Sequence, residues 1–411
     1  MFKKFTLRNY KTHRLTTIEL NAVTLLIGNN SSGKTNLLSG IQHFASLVRR
    51  GNPASNSDAN VRSSDYFSYK HRLAAETDPL SIEVLWSNKN SEVIYTLELY
   101  TNNNLPGNVG CREKITVKGT EPQEIEHGFK EDTQSLDLRK ICETSSRSED
   151  MQKMTDLFFR DFATTFSYHL QPSFLKGYFS ETNLLERESD KSVKIPVRLG
   201  YEGRNLIPLI LHIKEKEERI FSRFLVLMRR LNSSFQGVRW DRGHQSLIWE
   251  FDLGRSGTDR LVEEFTSDSV SDGFVKAAAL ALLVSLQNPP ALILMEEIEN
   301  GINPGNIQEI MDWIWQATAS PDISKTPQFI LTTHSPSVLR EFHNHLDCVY
   351  TTRLQKKGFQ SDVRNLSQAL DTLIGIGTVE GEVFTDTNTG KVRVEMPKYQ
   401  LADLWYSGTI G

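Results

Sequence analysis

Long apolar runs are missing from this 411-residue chain. No stretch of about 18 consecutive apolar residues occurs, so no membrane-spanning helix is expected. The opening residues, MFKKFTLRNYKTHRL, have no apolar core of the kind a secretory leader needs. Cysteine is scarce. Cys111, Cys142 and Cys348 are far apart and odd in number, so neither a disulfide framework nor a metal-ligand spacing follows. A reducing cytoplasm is the expected compartment. There is no large excess of one charge either. Lys and Arg total 47 against 51 Asp and Glu, a net charge of −4 that argues against a strongly basic nucleic-acid binder. Internal repeats and low-complexity tracts are absent as well.

What is present is an ordinary globular balance, 38% hydrophobic and 24% charged, enough for one large domain or a few smaller ones. The charge is uneven. Residues 1–50 carry eight Lys/Arg and a single acid, Glu19. Such a basic region suits the phosphates of a nucleotide or of DNA, and equally a solvated strand and helix face.

The patterning alternates between strand and helix. Phe5, Leu7 and Ile18, Leu20 suggest two short strands, and Ala22–Ile27 is a compact apolar run of the buried-strand kind. Asn36–Arg50 reads as a helix and residues 51–65 as a polar loop. Residues 80–118 alternate as antiparallel strands. Residues 121–160 are polar with weaker helical signals. Asn205–Leu231 predicts one long amphipathic helix with a solvated KEKEER face, and Gly237–Leu253 a hairpin. An alanine-rich helix (Gly273–Leu286), a strand (Ala291–Met295), a helix (Asn306–Ala317), a strand (Gln328–Thr332) and a helix after Pro336 follow. That alternation implies a parallel sheet.

Four stretches carry chemistry. The first is Gly28-Asn29-Asn30-Ser31-Ser32-Gly33-Lys34-Thr35, which follows a strand, precedes a helix opening at Asn36, and fits G-x-x-x-x-G-K-[ST]. Glycines let backbone N–H groups converge on a polyphosphate, and the helix start adds partial positive charge. Lys34 would reach the β- and γ-phosphates, and the Thr35 hydroxyl would ligate Mg²⁺. The second is ALILMEEIENGINP, an apolar strand ending in Glu296 and Glu297. The first carboxylate is placed to hold Mg²⁺ through water, the second to act as general base on the attacking water. The third is FILTTHSP, where His334 ends a strand and can contact the γ-phosphate and the water. The fourth is VSDGF, where Ser271 and Gly273 open the alanine-rich helix with exposed N–H groups. Taken singly, the last three read as a solvated strand end, a structural histidine and a helix cap; it is their company with the phosphate loop that makes them functional candidates.

In this order the four motifs resemble the ATP-binding-cassette ATPases of the RecF/SMC/OLD type. The chain looks most like the stand-alone, soluble, AAA-labelled ATPases of that group found in bacterial defence and repair operons. FTLRNYKTHRLTTIELNAVTLLIGNNSSGKTNLL is similar to the family's opening, VSDG to its signature, LILMEEIENGINP to its acidic strand end and ILTTHSPSVL to its switch. EGRNLIPLIL and the tail LADLWYSGTIG are similar to stretches of the same subgroup. The resemblance implies an α/β ATPase head with a mostly parallel sheet, an antiparallel β lobe and a helical insertion. It implies ATP and Mg²⁺ as cofactors, with the loop from Gly28 to Asn36 binding ATP, Thr35 and Glu296 on the metal side, Glu297 as base and His334 as switch. Ser271 and Gly273 would touch the γ-phosphate bound by a second copy, giving a homo-oligomer joined through its ATP sites.

Some positions depart from the family. Glu296 stands where Asp is common, Ile298 where proline is usual, Asn303 where histidine is usual and Val270 where leucine is usual. Ile298 and Asn303 fall in the segment that crosses the dimer interface in such heads. No motif marks the glutamine that senses Mg²⁺ in these heads; Gln171 in YHLQPS is the candidate. The expected organisation is an N-terminal part of the head (1–125), a helical arm (126–235) and a C-terminal part of the head (236–411). No D-x-D follows His334 and no heptads are sustained, so neither a Toprim nuclease nor a long coiled coil is expected.

Two functions remain open. One is an ATPase switch or sensor in the cytoplasm that controls a separate effector, a nuclease or Toprim-like protein, in anti-phage defence. The other is a RecF-like repair or loader ATPase that binds duplex DNA directly. No membrane partner is expected.

Overall fold

The computed structural model describes residues 1–50, 68–88, 91–102, 109–118, 123–127, 136–144, 149–177, 198–244, 246–256, 259–321, 325–385 and 392–410. The expected polar loop at 51–65 lies outside them. In chain order the elements are β1 (Phe2–Tyr10), β2 (His13–Glu19), β3 (Val23–Ile27), α1 (Lys34–Arg50), β4 (Leu80–Asn88), β5 (Ser91–Thr101), β6 (Val109–Lys118) and β7 (Gln123–His127). Next come α2 (Leu138–Thr144), α3 (Glu149–Ala163), β8 (Phe166–Tyr168), α4 (Pro172–Leu175), α5 (Leu206–Lys216), α6 (Glu218–Leu231), β9 (Phe235–Asp241), β10 (Ser246–Ser256) and β11 (Asp259–Thr266). Then follow α7 (Asp272–Ser285), β12 (Leu292–Met295), α8 (Ile307–Ala319), β13 (Gln328–Thr333), α9 (Pro336–Arg340), β14 (Val349–Gln355) and β15 (Gln360–Asn365). The chain continues through α10 (Leu366–Gly375), β16 (Glu382–Thr385), β17 (Val392–Glu395) and α11 (Lys398–Tyr406).

Two compact units form. The first comprises residues 1–167, 290–294 and 328–411, the second residues 168–289 and 295–327.

Unit 1 contains two six-stranded sheets. One is antiparallel through its order β2-β1-β4-β5-β6-β7. The other runs β15-β14-β3-β13-β12-β8 and is parallel where β13, β3 and β14 meet. Tyr168 and Met295, the last residues of β8 and β12, are counted in unit 2. β3 is buried at every position, as its unbroken VTLLI run requires of a strand covered on both faces. The antiparallel strands bury alternate residues instead: Val93, Tyr95, Leu97 and Leu99 of β5 point inward. Their core is completed by Leu37, Ile41 and Phe44 of α1 and by Phe158, Phe159 and Phe162 of α3. The α/β class with a mostly parallel sheet and an antiparallel lobe is the one the sequence implies.

In unit 2 the helices α5 to α8 accompany a three-stranded antiparallel sheet, β11-β10-β9. α7 is buried from Phe274 to Ser285, so its alanines let neighbouring elements approach on all sides. Phe235, Trp249 and Phe251 of the sheet pack on Phe274, which fixes the start of α7.

Three local expectations change. The helix expected over Asn205–Leu231 is two helices, α5 and α6, broken at Glu217 with φ −129° and ψ 61°. The break lets Ile220, Phe224 and Leu227 turn inward on α6, while Lys214 at the end of α5 donates to Val238 O at 2.5 Å. The hairpin at Gly237–Leu253 gains a third strand, β11. A strand, β7, appears where only weak helical signals were read; it pairs with β6 and buries Ile125. No described helix is long and apolar enough to cross a membrane.

Candidate nucleotide-binding loop and acidic turn

The loop between β3 and α1 is shaped by left-handed backbone. Gly28 has φ 143°, Ser31 φ 62° and Gly33 φ 115°. At the two glycines a side chain has no room. A Cβ on Gly28 would sit 2.1 Å from the Thr352 carbonyl oxygen, and one on Gly33 would sit 2.0 Å from Ser361 Oγ. Glycine is therefore required twice, for conformation and for close approach. Lys34 is only 5% exposed, and its Nζ donates to Gly28 O at 2.8 Å and Asn29 O at 3.0 Å. The ammonium thus sits over the loop it is expected to serve. Ser32 Oγ is buried and has no hydrogen-bond partner, while Asn29, Asn30, Ser31 and Thr35 are exposed.

Residues with no motif of their own brace this loop. His13 Nε2 lies 2.9 Å from Gly33 O, and its Nδ1 lies 2.9 Å from Thr16 Oγ1. Burial pushes the His13 imidazole down to about 4, against the opposing pull of the Gly33 carbonyl and with help from His71 and Lys11. The ring is therefore neutral at pH 7. Because a carbonyl only accepts, Nε2 carries the proton and Nδ1 accepts from Thr16. Ser361 of β15 donates from Oγ to Ser32 O at 2.7 Å, and its Oγ lies 2.7 Å from Thr12 Oγ1. Asn36, expected among the nucleotide ligands, directs its amide to Thr12 Oγ1 at 3.0 Å. Sequence reading missed His13, Thr12 and Ser361.

His334 belongs to the same unit and the same sheet edge. Thr333 pairs with Ile27 in the parallel β13–β3 register, so His334 and Gly28 leave adjacent strands at the same level. Ser335 caps α9 by accepting from the Ser337 N–H, which starts a helix directly after the histidine.

The remaining expected residues lie in unit 2. Ser271 is the N-cap of α7 and accepts from the Phe274 N–H at 3.3 Å. A Cβ on Gly273 would fall 2.4 Å from Gly301 O. Asp272 pairs with Lys176 at 2.7 Å. A cleft of about 720 Å³ opens at this helix start, lined among others by Ser271, Gly273, Asn303 and Pro304. Glu296 and Glu297 follow β12 and are half-buried, and Glu297 has φ 47°. Asn303, in the usual histidine position, caps the turn that follows by accepting from the Gly305 N–H at 2.9 Å. Lys276, which the sequence did not single out, is 2% exposed and donates to Glu297 O and Asn300 O, each at 2.8 Å. Burial pushes its ammonium down to about 8 while Glu299 and Glu297 hold it up. Gln171 stands at the N-cap position of α4 but makes no side-chain cap bond; its amide nitrogen lies 2.8 Å from His169 Nε2.

The donor set of the loop fits a polyphosphate. It combines a helix start, left-handed glycines, one buried ammonium and an unpartnered buried hydroxyl. Thr35 and Glu296 are oxygen donors of the kind Mg²⁺ takes. Among the described residues no cluster of three or more His, Cys, Asp or Glu forms a metal centre of its own.

The family described as "AAA domain, putative AbiEii toxin, Type IV TA system" matches residues 23–340, well over half of the chain. The protein belongs to this AAA family. Solved structures similar to it include the SMC head domain from Thermotoga maritima, at 16% identity over 89% of this chain and 98% of that one, with a TM-score of 0.42. An Smc head bound to the C-winged helix domain of ScpA is 14% identical over 90% of this chain and 99% of that one, with a TM-score of 0.44. An Smc head domain with an extended coiled coil, bound to the C-terminal domain of ScpA derived from Pyrococcus furiosus, is 15% identical over 92% and 99%, with a TM-score of 0.41. No curated protein matches the chain.

Proposed function

We propose that the protein is an ATP-binding and ATP-hydrolysing switch or sensor that assembles through its ATP sites and controls a separate effector in anti-phage defence. The observation that carries this reading is the loop itself: two glycines that admit no side chain, with the Lys34 ammonium held on the loop carbonyls. An anion of sufficient charge competes for that ammonium, so Lys34 exchanges two neutral acceptors for phosphate oxygens. Thr35 and Glu296 would hold Mg²⁺, which supplies charge neutralisation on the phosphates. Glu297 takes the proton of the attacking water and His334 orients the group being cleaved. Gln171 is the proposed Mg²⁺-sensing residue.

Ser271 and Gly273 read the nucleotide of a second copy, so the assembled state is a homo-oligomer. The exposed start of α7 and the cleft beside it support that role. The family's toxin–antitoxin description supports a defence setting. In this reading the effector is a separate nuclease or Toprim-like protein, and the setting is the cytoplasm. In this reading residues 1–125 and 236–411 supply the nucleotide-handling head and 126–235 a helical arm.

Glu297→Gln decides the chemistry. Turnover should fall at least 100-fold while ATP stays bound and the assembled form accumulates in sedimentation. Unchanged hydrolysis in that variant removes Glu297 as the base.

A second reading, direct duplex binding in the RecF manner, has one feature in its favour, the exposed Arg8 and Arg14 of the β1–β2 hairpin, although the cleft of about 590 Å³ that they line also holds Asp78 and Glu98. ATP-dependent binding of a DNA duplex that weakens steeply with salt would select this reading. No binding without a partner protein selects the switch.

A further inference from the structure

The start of α7 touches the acidic turn at two points, both inside unit 2. Gly273 lies so close to Gly301 that any side chain would overlap its carbonyl oxygen, at 2.4 Å. One helical turn on, Lys276 donates to Glu297 O and Asn300 O at 2.8 Å each. Spacing of three residues puts Gly273 and Lys276 on one face of the helix, directed at the same turn.

The turn needs holding. Glu297 sits at φ 47°, a left-handed conformation that costs a β-carbon-bearing residue about 1–2 kcal/mol. Such a conformation persists only where surrounding contacts impose it. Here the Glu297 carbonyl accepts from the Asn300 N–H at 3.0 Å and from Lys276 Nζ at 2.8 Å. The second bond is charge-assisted and buried, which makes it the stronger of the two.

We propose that Lys276 is a positioning residue for ATP hydrolysis: it fixes the left-handed backbone of Glu297 and thereby aims that carboxylate, tying its orientation to the start of α7. Lys276 touches no reacting atom; it acts through Glu297. The helix start that reads one nucleotide and the glutamate that serves hydrolysis move as one body. Displacing Ser271 and Gly273 by a bound nucleotide therefore re-aims Glu297. This inference rests on the reading of Glu297 as the base.

The test compares Lys276→Met, which keeps the length of the side chain but no donor, with Lys276→Arg, which keeps donors and charge. Nucleotide affinity and ATP turnover are measured for both on the full chain. The expected pattern is a Lys276→Met turnover below a tenth of wild type, a nucleotide Kd within threefold, and a Lys276→Arg turnover above that tenth. A merely structural lysine would lower binding together with turnover. Any other pattern overturns the assignment. If Lys276→Met does not fold by circular dichroism, folded Lys276→Arg decides alone: turnover above a tenth of wild type supports the role, and turnover below it overturns it. Glu297→Gln separates the two claims. If that variant is inactive while Lys276→Met stays active, the positioning role fails and the base stands. If Glu297→Gln retains turnover, the base itself fails.

Discussion

The phosphate loop and the acidic turn are both held by buried groups, but of opposite chemical character. Around the loop the bracing is neutral: the imidazole of His13 and the hydroxyls of Thr12 and Ser361. Around the acidic turn and the start of α7 it is cationic: Lys276 on the turn's carbonyls and Lys176 on Asp272. The difference fits the proposed role of each region. In the proposed ATP-binding role, neutral bracing would leave Lys34 as the charge that answers an incoming polyphosphate. The turn gathers Glu296, Glu297 and Glu299, and the charges of Glu299 and Glu297 favour the buried Lys276 ammonium.

Acid should break this comparison most strongly, because it charges one set of braces and leaves the other unchanged. Burial holds His13 and His43 down to about 4, below the ordinary histidine value of 6.5. Their contribution is full above pH 6.5 and is lost as pH falls through 4, at up to about 3 kcal/mol each. Glu113, pushed up by burial to about 7, acts in the opposite direction, losing stability as pH rises from 4.5 through 7. Two histidines outweigh one carboxyl, so stability measured by urea unfolding should rise between pH 4.5 and 6.5. A flat or falling profile contradicts the neutral state of His13.

The next effect separates the two regions by function. Gly33→Ala forces a Cβ into Ser361 Oγ at φ 115° and should weaken ATP binding about 100-fold, or about 2.8 kcal/mol. Gly273→Ala forces one into Gly301 O and should instead lower turnover about tenfold while weakening binding far less than Gly33→Ala does. Equal loss of binding in both variants would erase the distinction. The smallest effect is Ser361→Ala, which removes the donor to Ser32 O and should cost about 1 kcal/mol in ATP affinity by calorimetry.

Much of the candidate site was legible because its parts are contiguous. GNNSSGKT carries its strand and helix on either side, and His334 and Glu296 announce themselves as ends of apolar strands. The braces were not legible, because they are non-local. Ser361 reaches Ser32 across 329 residues and His13 reaches Gly33 across 20, and no periodicity links them. Lys276 looked like one polar residue in an alanine-rich helix, and only the turn folded against it reveals its two carbonyl partners. The break between α5 and α6 was hidden for another reason. KEKEER is rich in good helix formers, so local propensity argues for continuity and packing of the Phe224 face overrides it. The strand β11, with DRLVEEFT, was masked because it has no alternating apolar face: Leu261, Val262, Glu263 and Glu264 are all exposed.

On the proposed function, Lys34 leaves its loop carbonyls for the phosphates of ATP. Calorimetric titration of Mg²⁺-ATP into the wild type and into Lys34→Ala tests it most directly. The wild type should bind saturably and the variant at least about 100-fold more weakly, about 2.8 kcal/mol. Equal affinity of the two proteins for ATP would contradict it.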